Sequence, residues 1–159
     1  MPFGIGLHPY FVQETGARLC FEAAARSQSD DRYLPVRFVA AQTGPDFAAG
    51  ASLEDLGGFD AHFAGWMPRR TILERPGPGI AVTMTGQGAF RNLHVFVPAG
   101  EGLVCIEPVS HVPDVHNRTA LASFGDLAVL EPGERLSGSM LISVSMLIAQ
   151  NVLAPGSTQ

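Results

Sequence analysis

Apolar and polar residues alternate with a period of two along much of this chain. In Ile80-Ala81-Val82-Thr83-Met84-Thr85, one face reads Ile80, Val82, Met84 and the other Ala81, Thr83, Thr85. In Leu93-His94-Val95-Phe96-Val97 the inward set is Leu93, Val95 and Val97. Over residues 140–148 one face reads Met140, Ile142, Val144, Met146, Ile148 and the other Leu141, Ser143, Ser145, Leu147. Successive side chains of a strand point to opposite faces, so each pattern predicts a half-buried strand. Further strands are predicted over residues 18–24, 34–40, 71–74, 103–107 and 127–130, with Gly/Pro turns at 76–79, 98–102 and 131–134 between them. Helical periodicity is weak; the best candidate is a short turn over 52–56, where Ser52 is placed to cap. About eight short strands predict an all-β fold, an antiparallel sandwich or barrel. With no repeat, low-complexity tract or linker, residues 1–159 read as a single domain, and residues 154–159 as a frayed tail.

Composition narrows the function classes. The chain is 46% hydrophobic and 16% charged, too apolar for a disordered protein. Its 18 glycines and 12 prolines fit many turns rather than low complexity. The formal net charge is −5, and all 10 basic residues are arginine, scattered apart from Arg69–Arg70. Neither the basic stripe of a nucleic-acid binder nor the basic amphipathic segment of a membrane-surface protein is present. The most apolar stretch, 139–149, is too short to span a bilayer, and the first residues lack a leader pattern. The expectation is a soluble cytoplasmic protein, in which the Asn117-Arg118-Thr119 sequon carries no meaning. Cys20 and Cys105 lie far apart in apolar runs and read as two reduced, buried thiols.

Three segments could carry chemistry. In Gly6-Leu7-His8-Pro9-Tyr10-Phe11, a histidine before proline is pushed toward extended backbone, either as an aimed imidazole or as an ordinary turn residue. In Leu103-Val104-Cys105-Ile106-Glu107-Pro108, four apolar residues run into a carboxylate. Partial desolvation there would raise its pKa toward that of a general base, unless Glu107 is simply solvated past the strand end. In Gly57-Gly58-Phe59-Asp60-Ala61-His62-Phe63-Ala64-Gly65-Trp66, an acid and a histidine sit among aromatics and glycines. That mixture suits a sugar site, or a structured loop with a packed Trp66. His111-Val112-Pro113-Asp114-Val115-His116 lacks helical metal-ligand spacing because Pro113 interrupts it.

The first segment resembles the catalytic-histidine motif of the aldose 1-epimerase (galactose mutarotase) family. Phe59 to Trp66 resembles that family's central acidic motif. Val104-Cys105-Ile106-Glu107-Pro108-Val109-Ser110, followed by Pro113-Asp114 and Asn117, resembles its catalytic-glutamate motif. Ala128-Val129-Leu130-Glu131-Pro132-Gly133-Glu134 resembles its closing pattern, and the four occur in the family's order. The resemblance implies a galactose mutarotase-like antiparallel β-sandwich. It also implies interconversion of α and β anomers of free hexoses, with no metal and no organic cofactor. By position, Glu107 resembles the catalytic base, His8 the catalytic acid, and Asp60 the acid that binds sugar hydroxyls. Imidazole suits an acid near neutral pH, and a carboxylate suits the base.

The His-Pro-Tyr-Phe motif sits near the middle of family enzymes but at the front of this chain. The chain therefore reads as a C-terminal half, a sandwich incomplete at its N-terminus, from a miscalled start, a gene remnant or a two-chain enzyme. The family's first half supplies a second histidine and an arginine, and no segment here maps to them; His62, His94, His111 and His116 do not lie in the matching motif. Uncovered edges and an uncovered sheet face predict a homodimer or a separate chain supplying the first half. A hexose-6-phosphate 1-epimerase, with Arg69–Arg70 as a phosphate pair, and a non-catalytic carbohydrate-binding fragment are the alternatives.

Overall fold

The computed structural model describes residues 1–147, so Ile148 and the tail at 154–159 lie outside the described residues. The described chain is built from eleven strands: β1 (Pro2–Phe3), β2 (Tyr10–Val12), β3 (Arg18–Ser29), β4 (Pro35–Ala40), β5 (Ala51–Ser52), β6 (Phe59–Arg75), β7 (Ile80–Gly88), β8 (Asn92–Val97), β9 (Leu103–Val109), β10 (Ala128–Val129) and β11 (Gly138–Met146). Short 3₁₀ turns cover Leu53–Leu56 and Thr119–Phe124. Every strand pair is antiparallel. Nine strands form one sheet, with the path β11-β7-β6-β8-β9-β2 and with β3 along the other side of β6, carrying β4 and β5; β1 and β10 pair separately. The all-β antiparallel architecture is the one the alternation predicts.

β6 organises the sheet. Its first part, Phe59–Phe63, pairs with β8, and its last part, Arg70–Arg75, pairs with β7. Between them Gly65 (φ +66) and Arg69 (φ +60) take left-handed backbone, and the register of β3 shifts between Phe21 and Ala23. Gly65 also faces Ala24, whose Cβ would lie 3.0 Å from an added Cβ. A side chain is disfavoured there on both counts. The sequence reading of residues 59–66 as a loop is therefore corrected. Gly57, Gly58 and Gly65 look like loop residues, but the stretch between alternates as a strand does. Trp66 is packed as expected, fully buried, with its Nε1 donating to the Arg70 carbonyl at 3.2 Å.

The core lies on one face of β6, β8 and β9. Leu93, Val95 and Val97, the predicted inward set, are fully buried against Phe63, Val104, Ile106, Leu19 and Phe21. Each such side chain contributes about 1.5–3 kcal/mol by leaving water. Phe21, Phe47, Phe59 and Phe63 interlock as a cluster of stacked and edge-on rings. Val82 and Met84 are buried as predicted.

Other expectations are corrected. β3 runs five residues past the predicted strand over 18–24, and residues 71–74 are the end of β6. Only Ala128–Val129 of 127–130 is strand. Ser52 occupies the N-cap position of Leu53–Leu56 without a side-chain capping bond. Cys20 is half-buried rather than buried, while Cys105 is buried, and both are free thiols. β11 forms and pairs with β7 along its whole length. Yet of its predicted inward face only Met140 packs on the core; Ile142, Val144 and Met146 are exposed. β11 is the terminal strand of the sheet path, and no described element packs over that face.

Candidate active site

The side chains opposite the core build the site. Register places Asp60 across from Phe96, Phe96 across from Cys105, and Cys105 across from Tyr10. The neighbouring row runs His62, His94, Glu107. Directly opposed residues of an antiparallel pair share a face with Cβ atoms about 4.5–5.5 Å apart, so β6, β8, β9 and β2 present one polar patch. Alternation puts the core on one side of these strands, and the same alternation puts the chemistry on the other.

His8 joins the patch through its motif. Residues 4–8 run beside the end of β9: Ser110 N–H donates to the Ile5 carbonyl (2.9 Å), Leu7 N–H to the Pro108 carbonyl (3.1 Å), and Gly6 bridges to Val109. A Cβ on Gly4 would run into the His111 ring, and one on Gly6 would lie 3.0 Å from Val109 Cγ1. The two glycines thus permit the close approach. His8 stacks on Tyr10, ring centroids 4.8 Å apart, and its Nε2 comes 3.1 Å from Glu107 Oε1. Glu107 is largely shielded, its side chain 12% exposed, whereas His8 is 52% exposed. Burial pushes the Glu107 carboxyl up, and the nearby His94 and His8 oppose that rise.

Asp60 lies beyond His94, whose Nε2 is 3.1 Å from Asp60 Oδ1. The structure therefore brings His8 and Glu107 into contact and sets Asp60 behind His94. His62 is fully buried: Asn92 Nδ2 lies 3.1 Å from its Nε2, and its backbone N–H donates to Ser27 Oγ. Burial holds its imidazole down to about 3, with His94 and His111 adding to the effect. Among the described residues, the buried Nδ1 atoms of His62 and His94 find no hydrogen-bond partner. A 260 Å³ cavity opens between His62, His94, Glu107, Val109, His111 and Pro113. Arg118 anchors the loop carrying His111 and Pro113, donating to Asp114 (3.1 Å), Asp30 (2.8 Å) and the Pro35 carbonyl (2.8 Å).

His94 and His62 are the site residues that motif reading set aside. The alternation of residues 93–97 already turns His94 away from the core. What the sequence lacks is the register that lays it beside Glu107. Among the described residues, His111, Asp114 and His116 do not bring three ligand atoms together; the group that does is His8, Cys105 and Glu107, whose ligand atoms lie within 4.8 Å of one another. No helix of the described chain is long and apolar enough to cross a membrane.

Known proteins carry the same arrangement of strands. YphB, an uncharacterized protein of Escherichia coli K12, is 32% identical over 155 residues, covering 92% of this chain and 52% of that one. The crystal structure of a candidate aldose 1-epimerase from Escherichia coli K12 superposes with a TM-score of 0.80 at 30% identity, again over 92% of this chain and 52% of that one. A galactose mutarotase-like protein of Clostridium acetobutylicum gives 0.79 at 19% identity over 92% and 48%, a likeness of fold. The chain thus spans about half the length of these relatives. The family model described as aldose 1-epimerase matches residues 1–143, which includes every residue of the polar patch and nearly all of the sheet that carries it. By strand pattern and by sequence, this chain belongs to the aldose 1-epimerase family.

Proposed function

We propose that the chain is an aldose 1-epimerase that interconverts the α and β anomers of a free hexose, with His8 as acid and Glu107 as base. The observation that carries this reading is the 3.1 Å approach of His8 Nε2 to Glu107 Oε1. The reaction needs a proton removed from the anomeric hydroxyl and a proton delivered to the ring oxygen. Both oxygens are bonded to the same carbon, so the base and acid that serve them must be near neighbours. Glu107 takes the hydroxyl proton, the C1–O1 bond gains double-bond character, C1–O5 breaks, and His8 protonates O5. The aldehyde turns about C1–C2, and the ring recloses on its other face with the two proton transfers reversed. Burial of Glu107 makes it a stronger base than a solvated carboxylate. Asp60 accepts hydrogen bonds from sugar hydroxyls, and His94 beside it fixes its orientation.

Residues 1–159 act in this reading as one cytoplasmic domain, the C-terminal half of the relatives' fold, covered by a second copy or by a companion chain. A phosphorylated hexose is the second reading. The Arg69–Arg70 pair that this reading would use lies where β6 meets β7, with Arg69 donating to the Gly88 carbonyl.

The test is anomer exchange followed by optical rotation, with α-D-glucose and α-D-galactose against a buffer blank. Acceleration is expected. It should fall by roughly 10²-fold or more in Glu107→Gln and in His8→Ala. Full activity in either variant would sink the assignment. Acceleration confined to hexose 6-phosphates would select the second reading.

A further inference from the structure

Cys105 is a buried thiol on the site face that the proton transfers do not use. It lies two residues before Glu107 on β9 and directly across from Tyr10, whose ring stacks on His8. Its Sγ, a ring nitrogen of His8 and a carboxylate oxygen of Glu107 all lie within 4.8 Å of one another. This is a nitrogen, sulfur and oxygen set on rigid strand and strapped backbone. From it we infer that His8, Cys105 and Glu107 form a binding site for a thiophilic divalent cation of the zinc type, which shuts off the acid–base pair when occupied.

The geometry suits the ion. Zinc bonds of about 2.0–2.1 Å to nitrogen, 2.0–2.2 Å to carboxylate oxygen and 2.3 Å to sulfur require tetrahedral ligand atoms about 3.3–3.6 Å apart. The His8–Glu107 edge is 3.1 Å, and the longest edge of the triangle is within 4.8 Å. Side-chain rotations of roughly 1 Å would close it, with water as the fourth ligand. Access runs through His8 and Tyr10, both exposed.

The charges also balance. Burial and the nearby Glu107 push the Cys105 thiol up to about 11, so without a metal it is neutral. Binding releases two protons, the thiol proton and the one His8 carries as the acid: Cys–SH, His8–H⁺ and M²⁺ give a Cys–S–M⁺ unit ligated by neutral His8 and 2 H⁺. The dication, the thiolate, the Glu107 carboxylate and neutral His8 then sum to zero, which favours the ion in a half-buried place. Hard cations such as Mg²⁺, which prefer six oxygen ligands, would not be held. Occupancy takes the Glu107 lone pair that accepts the hydroxyl proton and displaces the proton that His8 delivers to O5. The effect on turnover rests on the acid–base reading above, whereas the binding does not.

The experiment is a Cd²⁺ titration of the full chain, read by the thiolate-to-cadmium charge-transfer band in the ultraviolet, then competition with Zn²⁺. One equivalent should saturate the band in the unaltered chain and in Cys20→Ser. The band should vanish in Cys105→Ser. Because His8 is exposed, His8→Ala leaves the fold intact. It should weaken affinity by roughly 10-fold or more, given that even outer-shell partners are worth 10–100-fold. Excess Mg²⁺ should leave the band unchanged. No band, a band that survives Cys105→Ser, or an affinity untouched by His8→Ala would each overturn the proposal. In a chain that accelerates anomer exchange, Zn²⁺ should abolish the acceleration at the stoichiometry of the band. A chain without anomer exchange that still gives the band would defeat the enzymatic reading and leave the metal site standing.

Discussion

His62 makes acid a direct threat to this fold. The residue is fully buried, and its imidazole is held down to about 3 in the folded chain, chiefly by burial. In the unfolded chain it titrates near 6.5. A histidine kept neutral by folding contributes its stability above pH 6.5 and loses it as pH falls, because protons then bind the unfolded state preferentially. The loss continues down to about 3 and then stops. Between pH 7.5 and 4.5 the His62 share is on the order of 3 kcal/mol. That is a large fraction of the 5–15 kcal/mol typical of domains. With a urea m-value of ~2 kcal/mol/M, it moves the midpoint by on the order of 1 M. The assay is urea unfolding followed by the fluorescence of Trp66, the single tryptophan and a fully buried one. The chain and His62→Phe would be compared at both pH values. Phe fits beside Phe38, whose ring already meets His62 edge-on with centroids 6.0 Å apart. The variant should show a midpoint shift smaller by on the order of 1 M than the unaltered chain. Shared contributions from His111 and Asp30 cancel in that difference. Parallel shifts in the two proteins would refute the argument.

Three other changes test other parts of the structure. His94→Phe removes the contact with Asp60, so kcat/KM for the preferred sugar should drop by about 10²-fold, mostly through KM; a pure kcat loss would deny His94 its positioning role. Gly86→Ala puts a Cβ 2.6 Å from Trp66 Cζ3 and 3.4 Å from Phe90 Cβ, an overpacking that should cost ~1–3 kcal/mol in urea unfolding; an unchanged midpoint would mean that the core there is loose. Val144→Lys places a charge on the exposed edge strand. It should alter stability by about 0.5 kcal/mol at most while reducing self-association in light scattering, and undiminished association would put the contact elsewhere.

The strands were legible wherever one side chain in two was apolar and the partner strand was near in sequence. Residues 80–85 and 93–97 announce both their extended backbone and the face they bury, whereas the continuous apolar run 103–106 announces a strand but not its face. Residues 59–66 carry the same alternation, but glycines at 57, 58 and 65 disguise it, since a glycine that permits a bend looks like one that makes a loop. β11 shows the opposite gap. Its alternation states which residues could be buried, while burial depends on what stands opposite. At the candidate site, Glu107 and His8 stood out through their neighbours: an apolar run ending in a carboxylate, and a histidine fixed before proline. Their contact, and the place of His94 beside them, depend on pairing between strands that local pattern does not encode. A one-residue slip of β8 against β9 would turn His94 into the core.

The nine residues of β11 carry no charge, and their outer edge has no described partner strand. Its backbone N–H and C=O groups along that side form a template for another extended segment. Encounters between two such edges are second order in chain concentration, whereas folding of each chain is first order. Doubling the rate of synthesis would therefore favour mismatched pairing over orderly folding, at the same sequence and temperature. The tempo at which the chain is made, and the promptness with which that edge is occupied, would govern how much of it stays usable.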